Sequence, residues 1–156
     1  MKIFEKWRYL VFSLFLVFIL ISLNILANTY TIQIVSVETT DMEGNPKTTF
    51  KCGEFVVVKV TIKSLLTYEA QDYLLIVEVF NPHDVVIALG FTSGSLAPGE
   101  QVSTGYGFKI PECCTPGTFK IKVFVWNGWP AALGENWKAL SAPYTCLLYT
   151  SPSPRD

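Results

Sequence analysis

Histidine is almost missing from this chain: His83 is the single one in 156 residues. It stands in Asn81-Pro82-His83-Asp84, a run of turn formers in which a solvated side chain is the expected state. No second histidine can complete a metal site and no Cys-x-x-Cys pair occurs, so neither a metal nor a cofactor is expected. The carboxylates are scattered over turns and solvent-facing positions, whereas acid–base or nucleophilic work needs groups held together. No catalytic residue is assigned and enzyme activity is not expected. Basic charge is scarce too. Residues 28–145 hold eight Lys against eleven Asp plus Glu, with no basic patch. Nucleic acid is therefore not an expected partner. An Asn-x-Ser/Thr acceptor is also lacking, which removes that glycosylation signal.

Charge of either sign is missing from residues 9–27, where Leu, Phe, Val and Ile are interrupted by only Ser13, Ser22 and Asn24 among polar side chains. As a helix this run is about 28 Å long, close to the ~30 Å hydrocarbon core of a bilayer. Lys2, Lys6 and Arg8 precede it, so the positive-inside bias puts residues 1–8 in the cytoplasm and everything after residue 27 outside. A cleaved signal peptide has the same charge order and direction. Against it stand the length of the run and the bulky Leu26 in Ile25-Leu26-Ala27. Both readings export the remainder. The expected location is the cell membrane, crossed once, with the lipid bilayer as a partner through residues 9–27.

The last eleven residues, CLLYTSPSPRD, resemble the translation of a transposase-type sequencing adaptor. Residues 146–156 are therefore expected to be a non-native tail, with Cys146 left out of the cysteine count. A natural Ser/Pro-rich tail is the alternative.

Between anchor and tail, residues 28–145 show short runs of period 2 separated by turn formers, the pattern of antiparallel strands. Strands are expected at 30–38, 55–63, 73–80, 85–91, 101–110 and 118–126. The first changes phase between Ile34 and Val35, which predicts a bulge. In the second, Val56, Val58, Val60 and Ile62 oppose Lys59, Thr61 and Lys63. In the sixth, Phe119, Ile121, Val123 and Val125 oppose Lys120 and Lys122. Ala97-Pro98-Gly99-Glu100 reads as a type II turn. A seventh strand is expected to begin at Tyr144 and to be cut short by the tail. Seven strands in roughly 115 residues predict an all-β, immunoglobulin-like sandwich behind one N-terminal transmembrane helix.

The stretches GEFVVVKVTIKS, LAPGEQVSTGYGFKIP and PGTFKIKVFVW resemble the cell-adhesion-related (CARDB-type) and related immunoglobulin-like, fibronectin type III-like repeats of prokaryotic surface proteins. The likeness covers residues 53–126. It implies a structural, adhesive or assembly role at the cell surface, with a surface protein or glycan as partner. The chain departs from the repeat after the second strand. Ser64-Leu65-Leu66-Thr67-Tyr68 stands where an Asn/Gly-rich turn is usual, and the role of that loop is left open.

Two groups of residues remain as candidate sites. Trp126, Trp129 and Trp137 lie along one connection, WNGWPAALGENW. Exposed indoles there can stack on sugar rings or dock a partner, which makes a carbohydrate- or substrate-binding module the alternative function. The competing reading is that they cap the open end of the sandwich. Cys52 precedes the second strand, and Cys113 and Cys114 follow the fifth. In an immunoglobulin-type sandwich these strands are antiparallel neighbours, so Cys52 lies at the same pole as the pair and a bridge of roughly 5.5 Å between Cα atoms is feasible. Cys52 with Cys113 or with Cys114 is expected. A strained bridge between Cys113 and Cys114, or three free thiols, are the alternatives.

Overall fold

A computed structural model describes residues 30–152. The long alternating segments form eight strands: β1 (Ile32–Thr40), β2 (Thr49–Lys51), β3 (Phe55–Ser64), β4 (Gln71–Phe80), β5 (Val86–Leu96), β6 (Gln101–Lys109), β7 (Gly117–Trp126) and β8 (Tyr144–Ser151). They make two sheets, ordered β1-β3-β6 and β2-β8-β7-β4-β5. Every pairing is antiparallel except that of β2 with β8. The sheets face each other across one core. Val56, Val58, Val60 and Ile62 of β3 meet Leu75, Val77 and Val79 of β4 and Phe119, Ile121, Val123 and Val125 of β7. Period-2 alternation places each of these sets on one face of its strand. Each buried Val, Ile or Phe contributes about 1.5–3 kcal/mol relative to an exposed one.

Several local features follow directly from residue type. Pairing of β1 with β3 slips between Ile34 and Ser36, at the phase change in the sequence, and leaves Val35 exposed. The turn from β5 to β6 closes with the Glu100 amide donating to the Ala97 carbonyl at 3.0 Å. Gly99 supplies the positive φ, 70°, which a type II turn needs at its third position. On β5, Gly90 lies directly beneath the Tyr106 ring of β6, in space that any side chain would occupy. This contact closes the open side of the sandwich between the edge strands β5 and β6.

Three expectations need correction. There are eight strands rather than seven, because β2 lies between the first two expected strands, where none was assigned. At three residues it is too short to show a period, and its parallel partner is about a hundred residues away in the chain. The strand expected to end at residue 91 continues through the polar Thr92-Ser93-Gly94-Ser95 to Leu96, held in the ladder by β4. The last strand is not cut short at Thr145. β8 runs on to Ser151, with Leu148 and Thr150 buried and Leu147 and Tyr149 exposed. Residues 146–151, six of the eleven set aside as a tail, thus lie in the strand beside β7. The transmembrane segment at 9–27 lies outside the described residues. Among those described, no helix is long and apolar enough to cross a membrane.

Candidate binding cleft

Alternation along β7 that sends Val123 and Val125 inward sends Phe124 and Trp126 to the outer face of the five-stranded sheet. There Trp126 lies opposite Leu74 of β4. After Trp126 the chain leaves the sheet, makes one short helix, α1 (Pro130–Leu133), then a 3-10 turn (Gly134–Asn136), and comes back. Asn127 pins the two limbs together. Its Oδ1 accepts from the Lys138 amide at 2.8 Å, and its Nδ2 donates to the Asn136 carbonyl at 2.9 Å. The returning limb bridges Trp126 at Ala139, and the Leu140 amide donates to the Val125 carbonyl at 2.8 Å, sending Leu140 into the core.

This path divides the three tryptophans. Trp137 is brought back over Trp126, the rings edge to face at 5.3 Å, and Phe124 packs against Trp126 at 5.8 Å. Both indoles are half-buried, and Trp137 Nε1 is buried with no hydrogen-bond partner among the described residues. An edge-to-face ring pair is favourable in its own right. Trp126 and Trp137 therefore cover the sheet. Trp129 is held differently, in extended conformation just before Pro130, where its carbonyl accepts from the Ala132 and Leu133 amides at 3.0 and 3.1 Å. It is 41% exposed and stands edge to face with Phe91, 61% exposed, at 5.2 Å.

The Trp129–Phe91 pair walls an open cleft of about 380 Å³, floored by Leu74 and Tyr73 and edged by Asp72, Ser93 and Asn127. Asn127 is occupied in holding the connection. No described residue hydrogen-bonds the Asp72 carboxylate or the Ser93 hydroxyl, so both can contact a ligand. Phe91, Asp72 and Ser93 were not among the residues singled out from sequence. Their place depends on the β4–β5 register, which pairs Asp72 with Ser95 and Ile76 with Phe91. The only sequence signal was an aromatic in a strand too uniformly apolar to assign a face.

Three of the cysteines, Cys52, Cys113 and Cys114, occupy the opposite pole. Pairing of Phe55 with Lys109 puts the start of β3 beside the end of β6. Cys52 and Cys114 are bonded there, with Cα atoms 5.6 Å apart. Cys113 is exposed and free. Cys146 points inward from β8, and burial pushes its thiol up to about 11. His83 is exposed in its turn at this same end. The Asn81 side chain accepts the His83 and Val85 amides, and Asp84 pairs with Lys120 at 2.6 Å. Among the described residues no three His, Cys, Asp or Glu side chains are grouped to hold a metal.

No known protein family matches the sequence, and no curated protein is similar to it. Solved structures do show the fold. The C-terminal domain of Wzt is similar over 80% of this chain and 75% of its own, at TM-score 0.64 and 9% identity. Alkylpurine DNA glycosylase AlkC from Pseudomonas fluorescens, bound to DNA containing an abasic site analog, is similar at TM-score 0.53 and 15% identity. That likeness covers 78% of this chain but only 30% of AlkC. At such identities the likeness is one of architecture, and the described chain is a β-sandwich.

Proposed function

We propose that this chain is an immunoglobulin-like domain held on the outer side of a membrane by residues 9–27, with an adhesive or assembly role rather than a catalytic one. The observation that carries the reading is the exposed pair formed by Trp129 of the connection and Phe91 of β5, beside hydrogen-bonding groups no described neighbour uses. Exposed aromatics presented on ordered backbone are the usual anchors of contact surfaces. Strand order is compatible with this: β1-β3-β6 faces a sheet that, apart from the short β2, has four strands, β8-β7-β4-β5, as a two-sheet sandwich requires. The anchor is tested by carbonate washing and external protease. The chain should stay with membranes while its domain is digested from outside. Recovery of a soluble form beginning at Asn28 would establish a cleaved signal peptide instead.

A second reading, a carbohydrate-binding module, is favoured by one specific combination. An indole beside a carboxylate and a hydroxyl offers stacking to a sugar face and hydrogen bonds to its rim. Cells displaying the chain should then adhere in a manner that soluble oligosaccharide competes away. Adhesion that oligosaccharides leave untouched points to a protein partner.

A further inference from the structure

We infer that the end of the sandwich carrying loop 65–70 rests on the lipid interface of the membrane that holds the chain, with Leu65 and Tyr68 as its contacts. This rests on the reading of residues 9–27 as a membrane anchor. The chain enters the domain at this end. The Thr31 and Ile32 amides donate to the Leu140 carbonyl at 3.1 and 2.9 Å, and the Leu65 amide donates to the Thr31 carbonyl at 2.8 Å. Only Asn28 and Thr29 separate Ala27 from the described domain. Three residue steps span at most about 11 Å, so the point of entry cannot stand far from the surface.

What faces outward at that point suits a lipid interface. Leu65 is 49% and Tyr68 77% exposed, in the loop between β3 and β4. The loop is braced rather than loose: the Gly99 amide donates to the Leu66 carbonyl at 2.9 Å, and the Leu66 amide to Ser64 Oγ at 3.3 Å. Exposed charges around this end lean acidic, Lys63 and Lys138 against Glu69, Asp72, Glu100 and Glu135. Such a surface has no preference for anionic headgroups. Its partner is the neutral interfacial zone, where tyrosine is enriched at membrane boundaries. The disulfide pole, with His83, faces away from the bilayer, and the Trp129–Phe91 cleft opens along the outer face of the five-stranded sheet rather than at the tip of the domain.

The test uses the full chain in phosphatidylcholine vesicles, in a Cys113→Ser background, with an environment-sensitive fluorophore on Tyr68→Cys or on His83→Cys. Cys52 and Cys114 stay bonded without reductant, and the half-buried Cys146 thiol, its pKa raised to about 11, reacts poorly. Quenching by headgroup-labelled lipid should be at least about twofold stronger at residue 68 than at residue 83, as an interfacial position requires. Leu65→Glu should lower the signal at 68 while leaving that at 83 unchanged. Equal quenching at the two positions, in chain that resists carbonate extraction, would overturn the seated loop and leave the anchor standing. Release of the chain into the soluble fraction would overturn both.

Discussion

The two poles of the sandwich are held by different means. At one, a covalent bond joins the loop before β3 to the loop after β6, and Glu54 takes both Lys47 Nζ, at 2.9 Å, and the Lys51 amide, at 2.7 Å. At the other, the long connection after β7 is closed by the side chain of Asn127 and the packing of Trp137 on Trp126. The first pole is closed by a disulfide and an ion pair, with Cys113 left free beside them. The second is built mainly from aromatic and backbone contacts, and leaves one indole, one phenyl ring and two polar groups facing solvent. The contacts left open therefore lie on the outer face of the five-stranded sheet beside the second pole, away from the covalently closed one.

Breaking the disulfide pole should have the largest effect on stability. Cys52→Ser, or reduction, opens a loop of sequence separation 62. In the chain-entropy model this costs about 4 kcal/mol. For a domain of this size, thermal unfolding should shift down by about 15 °C. An unchanged Tm would show that the bond adds nothing to this pole. Trp137→Ala should come next. It strips a half-buried ring from Trp126 and is expected to cost about 2 kcal/mol, less than for a fully buried aromatic. Chemical denaturation followed by circular dichroism reads that loss.

Acid should act on the disulfide pole as well, more weakly. The Lys47 ammonium and the Lys51 amide hold the Glu54 carboxyl below the usual carboxylate range. A carboxyl whose folded pKa is depressed contributes stability above its unfolded value, here 4.5, and loses it as pH falls through the folded value. Melting temperature should therefore drop as pH is taken below that value, and Glu54→Gln should flatten part of the slope. Because the pair is about one-third exposed, solvent screening keeps the effect small.

Much of the disulfide pole was legible from sequence. Clean alternation in β3 and β6 made their lengths and faces readable, and a sandwich then makes them neighbours, which brings Cys52 beside Cys113 and Cys114. Choosing Cys114 needed the turn in which its amide donates to the Pro111 carbonyl at 3.1 Å. The other pole was legible only in outline. Three tryptophans in twelve residues marked the connection, but their division into two covering rings and one exposed ring follows from Asn127 folding the chain back. No local period encodes that. Phe91 and Asp72 depend on strand register, a non-local property. β2 was missed for the same reason, since its three residues are a strand only because β8 lies beside them.

The central claim is that Trp129 makes contacts outward while its neighbours hold the fold. Measuring adhesion and melting temperature on the same Trp129→Ala chain tests it most directly. The account predicts that adhesion falls at least about tenfold, the loss of a contact anchor, while Tm stays within a few degrees of the parent, since a ring exposed to this extent contributes little to the core. Unchanged adhesion, or a loss of stability as large as that of Trp137→Ala, would contradict it.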